Sequence, residues 1–370
     1  MEIDGYLLDD PEAIDTPAFL VYEDIVQHNI GEVLRVCGSV DRLVAHAKTH
    51  KSTDVLNLQI AAGIRSYKCA TLREAEMLAE ANVDEIVIAY PMLHPRKRER
   101  LVSLMQKFPN IEVKAIVSTP DHLAGLSESM VASGLELGVY LDLDTGMRRT
   151  GAQPGAEAGE IYVQAAQTPG LRALGVHVFD GHTLYKPDEA ERQALVDTSI
   201  GYMHEVWEVA ECHGIAADDN LAGGSWSFHL YLGEDANKVR VTPGTWVYWD
   251  SRNATIPELD FKVAAVVLGQ VIDSDPGMDT VTTDLGSKTC SPDQPMEHRF
   301  KLVGYPAAEL TAQSEEHGVL RLNGETLAVG DLVLAAPGHA CTTTVKFPYA
   351  LVVDSGGQIA GRYDHDARDR

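Results

Sequence analysis

Short apolar runs alternate with longer stretches of helical periodicity from about residue 16 to about residue 250. The runs at 17–21, 42–46, 66–70, 85–89, 112–117, 137–143, 172–178, 218–222 and 239–242 predict strands. The stretches between them, at 22–36, 53–62, 71–81, 94–107, 119–132, 153–167 and 187–213, predict helices. Thr71-Leu72-Arg73-Glu74 opens one of these with a capping-box pattern, and Asn82 and Gly134 stand where helices should stop. A strand and a helix every roughly 25–30 residues is the rhythm of βα units. Seven or eight such units predict an α/β fold of the (β/α)8 TIM type. A doubly wound open sheet is the alternative, but no Gly-x-Gly-x-x-Gly turn follows the first strand.

From about residue 258 the rhythm changes. Runs such as Phe261–Leu268 and Leu327–Leu334 read as strands, with Gly, Pro and Asp turns in or between them. The expected organisation is a barrel over 16–255 and a C-terminal β-rich domain over 256–370, joined by residues 1–15.

The chain has 370 residues, 45% of them hydrophobic, and a formal net charge of −25. Such a surface repels phosphate backbones and anionic membranes, which argues against nucleic-acid binding. No apolar stretch is long enough to span a bilayer, and the first residues lack the pattern of a signal peptide. Five scattered cysteines, an odd number, predict no disulfide scaffold and fit a cytoplasmic setting.

Candidate chemistry gathers at the predicted strand ends. His46-Ala47-Lys48-Thr49-His50-Lys51 follows an apolar run, and a lysine at the carboxyl end of a barrel strand can hold an aldehyde cofactor. Asn220-Leu221-Ala222-Gly223-Gly224-Ser225 and Thr242-Pro243-Gly244-Thr245 end two late strands, where paired glycines and a hydroxyl can cup a phosphate. Asp142 and Asp144 precede Arg149, and two acids on a barrel strand are costly unless paired. Pro337-Gly338-His339-Ala340-Cys341 offers an imidazole and a thiol two residues apart, on one face if the segment is a strand. Two protein ligands leave a metal open to water and substrate, and a thiolate favours zinc over hard cations. Each pattern alone also has an ordinary reading as a turn, a salt-bridged rim or a surface histidine.

Together these segments resemble the D-threonine aldolase and D-serine dehydratase family of fold-type III pyridoxal phosphate (PLP) enzymes, which join an alanine-racemase-like barrel to a β domain. The lysine motif resembles the family's Arg-Pro-His-x-Lys-Thr-His-Lys, with Val44-Ala45 replacing Arg-Pro. The 142–151 segment resembles its Asp-x-Gly-x-x-Arg-x-Gly signature, and His339-x-Cys341 its metal pair. The resemblance makes Lys48, not Lys51, the cofactor lysine, with His46 flanking the ring, Arg149 near its phenolic oxygen, and Asn220, Gly223, Gly224, Ser225, Gly244 and Thr245 around its phosphate. Lys68-Cys69-Ala70-Thr71 would line the ring. His182 is the expected catalytic residue beside Lys48, handling substrate or protons, because Phe179 replaces a tyrosine common in close relatives. Arg240, where many relatives carry glutamate, would alter ring or substrate contacts.

The implied activity is a PLP- and divalent-metal-dependent lyase cleaving a D-β-hydroxy amino acid to glycine and an aldehyde. Zinc is expected over manganese, because His-x-Cys is the pair of the D-serine dehydratases and His-x-Asp that of many D-threonine aldolases. A D-serine or 3-hydroxy-D-aspartate dehydratase is the alternative. An amino-acid racemase and a non-catalytic PLP-binding protein are further ones. The resemblance also implies a homodimer.

Overall fold

The computed structural model describes residues 1–370 and divides the chain into two compact units. One comprises Leu34–Lys48, Gln59–Gly244 and Asp369–Arg370; the other comprises Met1–Val33, Thr49–Leu58 and Thr245–Arg368.

The first unit is the expected barrel. Eight parallel strands follow one another in chain order: Ala45–His46, Ser66–Cys69, Glu85–Ile88, Glu112–Val117, Leu137–Leu143, Leu171–Val178, Asn220–Ala222 and Val239–Val241. A parallel bridge between Leu43 and Val241 joins the last strand to the first, backed by bonds from Val44 N to Val241 O (2.9 Å) and His46 N to Pro243 O (3.0 Å). Val44, Val87, Ile116, Tyr140, Leu174 and Leu221 fill the interior, one from each of several strands or their margins. Such a packed centre leaves only the strand ends for chemistry.

The helix ends follow their local sequence signals. Thr71 caps the helix Leu72–Glu80 by accepting from Glu74 N at 3.1 Å. The Glu74 carboxylate reaches back to Ala70 N (2.6 Å), one residue earlier than a standard capping box requires. Gly134 ends Pro120–Ser133 at φ +67°, the left-handed conformation that favours glycine.

One strand does not belong where it was expected. Ala18–Tyr22 is no barrel strand: it pairs antiparallel with Ala265–Asp275 and parallel with Tyr349–Val353 in the second unit. All five of its residues are buried, as suits a central strand covered on both faces. The second unit is thus a nine-stranded mixed sheet, with the long strand Ala265–Asp275 also pairing Thr280–Thr283 and Leu332–Pro337. No helix is long and apolar enough to cross a membrane, and all five cysteines are free.

Arg240 also departs from expectation. It meets neither ring nor substrate space but sits in a buried ion cluster. Its guanidinium is 2.6 Å from Glu85 and 2.8 Å from Asp219, while Lys114 is 2.8 Å from Glu85 and Tyr140 OH 2.5 Å from Asp219. Glu85 begins its strand and Asp219 precedes another, which puts the cluster toward the amino ends of the strands, away from Lys48. Burial alone would raise the Glu85 carboxyl, but Arg240 and Lys114 hold it down at about 2. A depressed carboxyl contributes stability above its unfolded value, near 4.3, and loses it as pH falls toward 2. Arg240→Met should therefore cost about 3–5 kcal/mol by leaving buried carboxylates unpaired. Urea unfolding at neutral pH and near pH 3 checks this: the deficit should shrink in acid, and an equal loss at both values would refute the ionic account.

Candidate functional site

The strand Ala45–His46 ends inside the barrel mouth and turns at once, with Lys48 N donating to His46 Nδ1 at 3.3 Å. This short turn holds both side chains at the carboxyl end of the barrel. Both line a cavity of about 280 Å³, together with Lys68, Asp142, Arg149, His177 and Phe179. That volume lies near the lower end of the range for small-molecule pockets.

Phe179 is the cavity's organising surface. The Lys48 Nζ lies 5.5 Å from its ring centroid, Lys68 Nζ 6.0 Å and the Arg149 Cζ 4.8 Å. Two cationic side chains and the amine of Lys68 thus gather around one aromatic ring. Arg149 is aimed by a constrained loop. Asp144, just past its strand, accepts from Gly146 N (3.0 Å) and Arg148 N (2.9 Å). Gly151, at φ +113°, runs so close to this backbone that a Cβ would meet Asp144 N at 2.3 Å. The other acid, Asp142, pairs with His177 Nδ1 at 2.6 Å and accepts from Thr150 Oγ1 at 2.9 Å. Asp142 is therefore paired within the strand, as expected, whereas Asp144 lies beyond the strand and only accepts hydrogen bonds.

Lys68 lies beside this pair. Its Nζ is 3.3 Å from His177 Nε2 and 2.5 Å from Thr242 Oγ1. Burial, reinforced by the Lys48 charge, lowers its amine to about 7. Burial, with the Lys68 charge next, also lowers His177, against the pull of Asp142.

The late turns differ in detail from expectation. Ser225 Oγ lies 3.4 Å from Gly244 N, so the two turns expected at the phosphate adjoin. The glycine N–H groups, however, serve the fold: Gly223 donates to Val178 O (3.1 Å), and Gly224 to Asp180 Oδ1 (3.2 Å) and Ser227 Oγ (3.1 Å). Gly223, at φ +83°, has no room for a Cβ, which would meet Phe228 Cα at 2.9 Å. Both residues shape the turn rather than offer it donors. Asn220 is not a cofactor contact. It is fully buried at the amino end of its strand, where its amide nitrogen donates to Ala217 O and Lys238 O and its oxygen accepts from Val176 N and Trp207 Nε1. That is its full hydrogen-bonding capacity.

His182 is not among the residues lining the cavity. It lies on the short helix Gly181–Tyr185 with its ring against Gly146, and its buried Nδ1 has no partner. His50 is likewise absent from the cavity lining; burial pushes it down to about 3, and its Nδ1 accepts from Ser52 N.

The second unit holds the other predicted pair. His339 and Cys341 do not alternate along a strand. The strand ends at Pro337, His339 caps the helix Ala340–Thr344, and Cys341 lies within that helix. The two side chains nevertheless meet in a hydrogen bond. Asp293, which the sequence reading missed, lies 2.5 Å from His339 Nδ1 and also accepts from Thr342 Oγ1 at 3.0 Å. Burial opposes charge on His339, but Asp293 and Cys341 raise it to about 10. A carboxylate on Nδ1 leaves Nε2 to bind a metal, the arrangement that orients ligating histidines. Thr245, expected at the phosphate, has its Oγ1 3.8 Å from Cys341 Sγ. Thr49, next in the chain after Lys48, has its Oγ1 at 3.2 Å from the same sulfur. An imidazole, a thiol and an orienting carboxylate suit a soft divalent cation.

Comparison with known proteins gives the family. Residues 21–251 match the family described as alanine racemase, N-terminal domain, and residues 264–353 match a serine dehydratase domain. The chain is 26% identical over 365 residues to the 3-hydroxy-D-aspartate aldolase of Paracoccus denitrificans (strain Pd 1222), covering 94% of this chain and 90% of that protein. It is 27% identical over 376 residues to the D-threo-3-hydroxyaspartate dehydratase of Delftia sp. (strain HT23), covering 94% and 96%. The crystal structure of D-threonine aldolase from Filomicrobium marinum superposes with a TM-score of 0.87 over 99% of both chains, and its 24% identity makes that a likeness of fold. The chain belongs to the alanine racemase N-terminal domain family, within the fold-type III PLP enzymes related to D-threonine aldolase and D-hydroxyaspartate dehydratase, and it is an enzyme of the lyase class.

Proposed function

We propose that this enzyme uses PLP and a divalent metal to cleave a D-β-hydroxy amino acid, releasing glycine and an aldehyde. The observation that carries the reading is Lys48, half-buried at a barrel strand end and opening on a cavity bordered by Arg149 and the face of Phe179. The cavity's size, its amine and its flat apolar wall fit the cofactor, with Ser225 and Gly244 near its phosphate. When bound there, PLP supplies an electron sink for charge developing at the substrate Cα. A divalent ion held by His339 and Cys341, zinc by the softness of the thiolate, supplies Lewis acidity to the substrate hydroxyl.

The chain's own residues do the rest. Lys48 binds the cofactor through its amine and carries a proton when displaced by substrate. Phe179 supports one side of the ring and excludes water. Arg149 offers positive charge to the ring's oxygen. Asp293 orients His339. A homodimer in a reducing compartment completes the reading.

Dehydration is the second reading, favoured by the thiol in the metal pair and by the Delftia relative. The two differ in which Cα bond stands perpendicular to the cofactor plane. Incubation with D-threonine, D-serine and D-3-hydroxyaspartate, with zinc or manganese, separates them. Glycine and an aldehyde are expected. Ammonia and a keto acid in their place would establish the dehydratase. Turnover that persists after chelation, or racemisation alone, would reject both.

A further inference from the structure

Lys68 lines the cavity yet has no task in the reading above. It stands on the strand Ser66–Cys69, directly across the pairing from His46, and is only 2% exposed. In its protonated form, which a bound anionic cofactor favours, Lys68 carries three N–H donors. Two have partners whose polarity is set by their neighbours. Thr242 Oγ1 gives its own hydrogen to Gly223 O at 3.0 Å, so its oxygen accepts from Lys68. His177 gives its Nδ1 hydrogen to Asp142, so Nε2 also accepts from Lys68. The third donor has no acceptor in the protein, although the residue borders a cavity sized for one small molecule. Leaving such a donor unsatisfied in a buried site is costly.

We propose that Lys68 gives this remaining N–H to an acceptor on the edge of the cofactor's pyridine ring, the ring nitrogen or the phenolate oxygen. Thr242 and the Asp142–His177 pair are the positioning residues that aim it. This rests on the reading of Lys48 as the cofactor lysine. The two lysines come from neighbouring strands, and their amines lie 5.5 and 6.0 Å from the centroid of the same Phe179 ring, so a cofactor ring tethered to one lies beside the other. A cationic donor at the nitrogen would keep that atom unprotonated; one at the phenolate would favour its ionised form. In either position Lys68 sets how much charge the ring accepts.

The test is equilibrium binding to the apoprotein, followed by absorbance, for PLP and for two analogues, one methylated on the ring nitrogen and one on the 3-oxygen. Wild type should bind one analogue roughly tenfold or more weakly than PLP, as loss of a charged hydrogen bond implies. Which analogue suffers identifies the acceptor. Lys68→Met should bind PLP itself about tenfold more weakly and lose the discrimination. Should Lys68→Met fail to fold, the wild-type comparison still decides, because equal affinity for all three ligands overturns the proposal. So does discrimination that survives in Lys68→Met. Failure of wild type to bind PLP at all would instead bring down the reading of Lys48, and this inference with it.

Discussion

Lys48→Ala should abolish turnover, by about 10³-fold or more, and leave the purified protein colourless where wild type is yellow. The size follows from the two jobs given to one amine. Removing it takes away the covalent hold on PLP and the nearest proton carrier at the strand end. The side chain is half-buried, touches the face of Phe179 and makes no side-chain hydrogen bond or ion pair, so the fold should lose little. Unchanged thermal unfolding of the apoprotein would verify that. Lys51 is the informative contrast. It sits two residues past Thr49 with φ +52° and only 8% exposure, and it is absent from the cavity lining. Lys51→Asn, which tolerates that backbone conformation, should keep the yellow colour. A yellow Lys48→Ala protein with near-normal rate would end the assignment, and the buried amine of Lys68 would become the first alternative to map.

Much of this fold was legible because a closed parallel barrel repeats one pattern, and each buried strand reads as an apolar run. The exception shows the limit of that signal. Ala18–Tyr22 is as apolar as any barrel strand and is followed by a helix, Glu23–Cys37. Only its long-range pairing with Ala265–Asp275 separates it from the barrel, and no local pattern encodes that. The site divides in the same way. Lys48, Arg149, His339 and Cys341 lie in compact motifs, where spacing and residue type carry the chemistry. Asp293 lies 46 residues from His339, in a turn without regular structure, and only folding brings it to the imidazole. A solitary aspartate in Ser-Pro-Asp-Gln has no sequence feature to mark it. The glycine pair misled for a related reason. Gly223-Gly224 resembles a phosphate turn, but the carboxylate of Asp180, 44 residues away, takes the Gly224 N–H. Asp180 is fully buried and also receives Ser227 Oγ (2.6 Å) and Tyr231 OH (3.0 Å), so it fixes the turn from within.

The other large effect concerns the metal pair. His339→Ala and Cys341→Ser should each remove tightly bound metal and reduce turnover about as far as exhaustive chelation does, because only two protein ligands are on offer. Added zinc should restore chelated wild type but neither variant. Asp293→Asn should behave differently. It keeps both ligands and weakens only the partner on His339 Nδ1, so metal affinity should fall by about 10–100-fold while excess zinc recovers most activity. Proton competition gives a further handle. In the metal-free protein Asp293 and Cys341 outweigh burial and favour the protonated form of His339, and a metal must displace that proton. Metal affinity should therefore climb with pH across the neutral range. The sign for Asp293→Asn follows from the same pair. Without the carboxylate the imidazole loses its proton at lower pH, so the variant's affinity should be less steeply dependent on pH than wild type's. Metal content by elemental analysis, with zinc titrations at two pH values, reads all of these. Full metal occupancy in His339→Ala, or affinity in Asp293→Asn equal to wild type at every pH, would place the ion elsewhere and remove the imidazole–thiol pair from the mechanism.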